Sequence, residues 1–174
     1  SPALAGDVAA FDFNPTVDRI RLISTGGQNL RLNPETGTVA FTDGSLNIGG
    51  TANANISSAA YTENKAGAST TVLFDIDVNN DILYKQDPPN AGGLMAVGNL
   101  GIDLSGTGEF DIAAAENIGL AVYNSGSTPS VYTIDLSTGK ATNVGILGGA
   151  TSVRGIAIPT LTVAYAVQNG NTLL

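Results

Sequence analysis

Two aspartates, Asp12 in Phe11-Asp12-Phe13-Asn14-Pro15 and Asp111 in Phe110-Asp111-Ile112-Ala113, stand between apolar neighbours in matching short strings. Strand alternation turns each carboxylate away from the flanking Phe or Ile. Two carboxylates that meet in a common space can divide general acid and base work, as in glycoside hydrolysis. The same groups can instead accept hydrogen bonds from backbone N–H groups of a neighbouring strand.

Asp77-Val78-Asn79-Asn80-Asp81 places oxygen-bearing side chains at alternate positions, which makes Asp77, Asn79 and Asp81 candidate calcium ligands. An EF-hand requires Gly where Ile82 stands and a bidentate Glu where Pro88 stands, so that motif is excluded. A looser calcium loop and a polar hairpin turn remain, and the turn is the preferred reading. Ser137-Thr138-Gly139-Lys140 has the end of a phosphate-binding loop without its beginning. Such a loop needs Gly five residues before Gly139 and a hydroxyl after the Lys, where this chain has Ile134 and Ala141. Arg19, Arg21 and Arg31 form the basic cluster, with Asp18, Glu35 or Asp43 as expected partners. Asn55-Ile56-Ser57 fits a glycosylation acceptor.

Composition removes several classes of chemistry. The 174 residues include no Cys and no His, which excludes disulfides, thiolate metal sites and a Ser-His-Asp triad. Fifteen acidic against seven basic residues give a net charge of −8, and no basic stripe offers itself to nucleic acid. No apolar run approaches the ~20 residues that span a bilayer as a helix. Charged residues make up only 13%, and Gly, Asn, Ser and Thr carry much of the polarity. That mixture suits short strands joined by many turns rather than long helices.

The elements that hold these residues repeat. Phe11–Pro15, Ala59–Thr62, Phe110–Ala113 and Gly155–Pro159 open successive units, and Phe13, Tyr61, Ile112 and Ile158 are separated by 48, 51 and 46 residues. Second strands are expected at Arg19–Ile23, Thr71–Ile76, Gly119–Tyr123 and Thr162–Val167. Third strands are expected at Asn29–Asn33, Ile82–Asp87 and Val131–Asp135, and fourth strands at Thr38–Gly44, Leu94–Gly98 and Ala141–Gly145. Asn33-Pro34-Glu35-Thr36-Gly37 and Asp135-Leu136-Ser137-Thr138-Gly139 supply a side-chain acceptor and then a Gly for the turn between third and fourth strands. Four strands in every ~45–50 residues describe a β-propeller blade. The predicted fold is therefore all-β and β-propeller-like, with three complete four-stranded antiparallel blades and a partial fourth. One domain is expected over 1–174, with blades at about 8–57, 58–107 and 108–152 and the partial blade at 153–174. A β-sandwich is the competing architecture.

Phe11–Arg21 followed by Gly27–Gly37 resembles a bacterial family known as domain of unknown function 4394, and the likeness continues through Ala59–Thr62, Gln86–Asn90 and Val153–Ala157. The resemblance implies an exported bacterial propeller-like domain and supplies no catalytic residues. In that family a further stretch precedes the first block, and Thr162–Leu174 resembles the opening of such a domain. The chain thus reads as a piece of a tandem array, as a permuted unit, or as a unit completed by another chain.

The expected function is that of a non-enzymatic, exported bacterial structural or interaction module, extracellular or on the cell surface, without a cofactor unless calcium binds. Self-association or strand pairing with another protein is expected, with Asn171, Thr172, Leu173 and Leu174 as an assembly edge. The alternatives are a carbohydrate-active enzyme built on paired carboxylates and a calcium-dependent adhesion or carbohydrate-binding module.

Overall fold

Asn33 and Asp135 turn the chain as their side chains predict. The Asn33 Oδ1 accepts the N–H groups of Glu35 (2.9 Å) and Thr36 (3.3 Å), and Asp135 Oδ1 accepts those of Ser137 N–H and hydroxyl at 2.8 and 2.6 Å. Each turn then closes on a glycine with positive φ, Gly37 at 66° and Gly139 at 80°. Both are side-chain-capped turns between two antiparallel strands.

The structure, a computed structural model, describes residues 2–52, 54–106, 108–114, 118–125, 128–148 and 153–159. Among these described residues, twelve strands form three sheets. β1 (Val8–Asn14), β2 (Arg19–Ser24), β3 (Asn29–Leu32) and β4 (Val39–Thr42) make the first blade. β5 (Ile56–Tyr61), β6 (Leu73–Asp77), β7 (Ile82–Gln86) and β8 (Leu94–Asn99) make the second. β9 (Gly108–Ile112), β10 (Ile118–Ser125), β11 (Thr128–Asp135) and β12 (Ala141–Ile146) make the third. Every pairing is antiparallel between consecutive strands, so each blade is a simple meander. The first strands β1, β5 and β9 lie side by side, β5 between the other two.

The blades stack face to face, and alternation along each strand assigns its side chains to two different interfaces. In β6, all five residues are buried: Leu73 joins Ala10, Ile23, Tyr61 and Leu94 between blades 1 and 2. Phe74 and Ile76 join Ala60, Phe110, Ile112 and Tyr132 between blades 2 and 3. β6 therefore has no solvent-facing side, which accounts for the apolar residues at successive positions along it.

Opening strands extend further back than their apolar signal. β5 begins at Ile56 rather than Ala59, because Ser57 and Ser58 face a partner in the next blade. The fourth opening segment behaves differently: residues 153–159 lie in no strand. They do keep the repeat's contact, since the Ile158 N–H donates to Asp111 Oδ2 at 2.5 Å. The rest of the expected fourth blade, and the expected edge at Asn171, Thr172, Leu173 and Leu174, lies outside the described residues.

Candidate functional site

The opening strands β1, β5 and β9 and residues 156–158 border a cavity of about 400 Å3, lined among others by Phe11, Asp12, Ser58, Asn64, Glu109 and Asp111. Both opening-strand aspartates are thus brought to one space. Asp12 Oδ1 accepts the N–H of Phe13 and Oδ2 that of Tyr61 in the next blade, each at 2.7 Å. Asp111 repeats the arrangement, accepting from Ile112 at 2.8 Å and from Ile158 at 2.5 Å. Each carboxylate uses one oxygen within its own strand and the other as a latch to the following unit. Burial pushes the Asp12 carboxyl up to about 6, the N–H of Tyr61 opposes that rise, and the charge of Asp111 adds to it.

The seam between blades 2 and 3 is built otherwise. Ala60 stands where Asp12 and Asp111 stand, and the Tyr123 hydroxyl, buried on β10, lies 2.6 Å from both Ser57 Oγ and Ser58 Oγ. Further out, Gly98 of β8 and Gly139 of the β11–β12 turn touch backbone to backbone. A Cβ on Gly98 would run into the Thr138 carbonyl, and one on Gly139 into that of Gly98. The Ala141 N–H completes the seam by donating to the Leu100 carbonyl at 2.9 Å. Ser137–Lys140 is therefore the turn that seats blade 3 on blade 2. Lys140 belongs to that turn, and β12 starts at Ala141.

The basic cluster resolves into a buried joint between blades 1 and 2. Arg21 and Arg31 face each other across β2 and β3, and both reach Asp43. Arg31 binds it bidentately at 2.7 and 2.8 Å, and Arg31 also lies 4.2 Å above the Phe41 ring. Arg21, fully enclosed, donates to Asp43, Asn29, Asn90 and the Tyr61 hydroxyl at 2.7 to 3.1 Å. Burial pushes the Asp43 carboxyl up, but hydrogen bonds from the two arginines outweigh it and hold it below the ordinary range. Of the three expected partners, Asp43 is the one that pairs with Arg21 and Arg31; Arg19 donates to the Asp18 carbonyl instead.

Asp77, Asn79 and Asp81 lie in the β6–β7 hairpin turn. Asp77 is buried and accepts from the N–H groups of Asn79, Asn80 and Asn55 and from the Asn80 side chain. Asp81 takes φ 52° and accepts the Leu104 N–H at 2.9 Å, while Asn79 is exposed. Asn55 is half-buried immediately before β5. Among the described residues, no three His, Cys, Asp or Glu side chains converge as a metal cage. Among the described residues, no helix is long and apolar enough to cross a membrane.

Asp75 is a feature that sequence reasoning passed over. It lies on β6 opposite Ala59 and Tyr84, fully buried, and neither carboxylate oxygen has a hydrogen-bond partner. Burial pushes its carboxyl up to about 8, and the charge of Arg21 pulls it only partly back. A lone acid inside Val72-Leu73-Phe74-Asp75-Ile76 was the signal available. Both faces of that strand are covered, so the acid has no solvent side to occupy.

A family model described as "Domain of unknown function (DUF4394)" matches residues 1–157. No curated protein matches the sequence. Among solved structures, the chain is similar to one titled Kuenenia stuttgartiensis hydrazine synthase, with 9% identity and a TM-score of 0.52 over 82% of this chain and 37% of that one. It is also similar to a chain of a nidogen/laminin complex, with 9% identity and a TM-score of 0.58 over 85% of this chain and 51% of that one. The chain thus spans between about a third and a half of the length of these two. At such identities the likeness speaks to fold alone, and the fold is β-propeller-like.

Proposed function

The chain belongs to the family described as domain of unknown function (DUF4394), and from that premise we propose that it is a non-enzymatic, exported structural or interaction module that self-associates through exposed strand edges. The observation that carries this reading is the outer rim. β4, β8 and β12 each end a sheet, with no further strand paired to them among the described residues. Phe41, Met95, Val144 and Ile146 stand exposed on those three strands. An unpaired edge with apolar side chains is a template for strand addition. The non-catalytic part is supported by the central aspartates, whose oxygens are all engaged with backbone N–H groups, a structural use that holds blades in register. Placement outside the cell is the part of the proposal that rests on the family resemblance, and the acidic composition is compatible with it.

Light scattering coupled to gel filtration, at protein concentrations from ~1 μM to ~1 mM, tests the assembly. The reading expects a mass above the 17.5 kDa of one chain, rising with concentration. A single 17.5 kDa species over the whole range defeats it. Fractionation of the producing cells tests export, where a purely cytoplasmic protein would remove that element.

A further inference from the structure

Glu109 breaks the repeat. Ala10, Ser58, Glu109 and Gly155 are equivalent, each preceding the aligned Phe13, Tyr61, Ile112 and Ile158 by the same spacing, and all but Glu109 are small. Ala10 and Ser58 are buried, and Ser58 serves the seam through the Tyr123 hydroxyl. Glu109 is half-buried on β9 and shares with Asp111 the face opposite Phe110 and Ile112. Asp12 and Asp111 spend their oxygens on backbone N–H groups. Glu109, by contrast, forms no side-chain hydrogen bond or ion pair among the described residues. Burial alone acts on its carboxyl and pushes it above the ordinary range. The packing of blade 3 makes no use of this charge, and a half-buried carboxylate without a donor costs desolvation.

Besides the cavity at the opening strands, Glu109 lines a second one of about 520 Å3. Arg154 stands in the wall of that second cavity, exposed and likewise without a hydrogen bond or ion pair among the described residues. β1 contributes an apolar wall through Val8, Ala10 and Phe11. Between them Ala9 is an extra residue in the β1–β2 ladder, where Val8 pairs with Ser24 and Ala10 with Ile23, and this bulge bends β1 at the cavity wall. One cavity thus holds an unpaired anion and an unpaired cation that do not meet each other. From this arrangement we propose that the cavity binds a small zwitterion, with its ammonium at Glu109, its carboxylate at Arg154 and its apolar body against Val8 and Phe11. An amino acid with an apolar side chain, or a short peptide with free termini, has this chemistry. The volume falls within the roughly 300–1,000 Å3 usual for small-molecule sites. The ammonium supplies the donor that Glu109 lacks, and the guanidinium fork of Arg154 matches a carboxylate. A bare anion would be repelled by Glu109 in a chain of net charge −8, and a bare cation by Arg154. The site involves none of the outer edges β4, β8 and β12, so the inference stands apart from self-association.

Isothermal titration calorimetry of the full chain tests this with four probes: free phenylalanine, the dipeptide leucyl-phenylalanine, phenethylamine and 3-phenylpropionate. At least one of the two zwitterions is expected to bind about tenfold or more tighter than either single-charge probe, the worth of one charge-assisted hydrogen bond. Glu109→Gln is expected to bring that zwitterion down to the level of 3-phenylpropionate. Arg154→Gln is expected to bring it down to the level of phenethylamine. Neither side chain bonds to the rest of the fold, so both variants are expected to keep the wild-type melting temperature. Glu109→Ser, which installs the residue of the equivalent position in blade 2, repeats the test should Glu109→Gln not fold. No heat from any probe up to ~20 mM, well beyond the range of a specific small-molecule site, overturns the proposal. So does zwitterion binding that both variants leave unchanged. Phenethylamine binding as tightly as the zwitterions, and lost with Glu109→Gln alone, overturns it in favour of a plain cation site.

Discussion

At the scale of single residues, the fold concentrates its electrostatic cost at two carboxylates. Asp75 titrates near 8 in the folded chain against 3.8 in a free side chain, so its ionisation is opposed by folding. The sign follows: the folded state binds the extra proton, and stability falls as pH rises from about 4 towards about 8, then levels. Asp12, raised to about 6, adds a smaller fall over the lower part of that window. Asp75→Asn is expected to abolish most of the fall above pH 6 and to leave below pH 6 only the share that Asp12 contributes, the whole Asp75 effect being worth roughly a few kcal/mol. Urea denaturation at pH 5, 7 and 8.5 measures it, and equal slopes for variant and wild type would refute the assignment. Arg21 works in the opposite sense, since four acceptors converge on its guanidinium. Arg21→Ala leaves Asp43 to Arg31 alone and the buried Asn29 Oδ1 without its donor, and is expected to cost about 3 kcal/mol, read as a lower denaturation midpoint. Arg21→Lys is expected to recover only a minor part, because an ammonium cannot reproduce the planar fork.

At the scale of the elements, the seam between blades 2 and 3 rests on two tight fits. Gly139 combines φ 80° with contact against Gly98, so Gly139→Ala meets both backbone strain and a clash; a loss of about 2 kcal/mol or more is expected. Tyr123→Phe removes the hydroxyl shared by Ser57 and Ser58 and is expected to cost about 1–2 kcal/mol. Thermal melts of the two variants check both values. These elements also mark how far local sequence reaches. The Asn33 and Asp135 turns were legible because acceptor, spacing and glycine all lie within five residues. The Asp12 latch was visible as an option, since alternation fixes the direction of the carboxylate, but its acceptor role depends on Tyr61, 49 residues away. The clasp of Tyr123 on Ser57 and Ser58 was not legible, because neither serine differs in composition from a surface serine. Asp75 escaped notice for a related reason: periodicity reports which side a residue faces, whereas covering both sides of a strand is decided by its neighbours.

At the scale of the whole molecule, stability and assembly become one quantity. If copies bind only when folded, mass action raises the melting temperature with concentration. The wild type is expected to melt several degrees higher at ~500 μM than at ~5 μM. Scanning calorimetry at the two concentrations decides the matter. Calcium at ~5 mM is expected to leave the melting temperature unchanged, because the oxygens of Asp77 are already engaged by four donors and Asp81 by the Leu104 amide. The blades themselves are not interchangeable parts. Seams with an aspartate latch follow blades 1 and 3, and a hydroxyl clasp follows blade 2. Excising blade 2 would set Asp12 against Ile112, whose N–H already serves Asp111, and leave two carboxylates competing for one proton donor. The unit that can be duplicated, lost or grafted without rewriting its joints is therefore a pair of blades, about 100 residues, and shuffling in this lineage is expected to preserve even-numbered blocks.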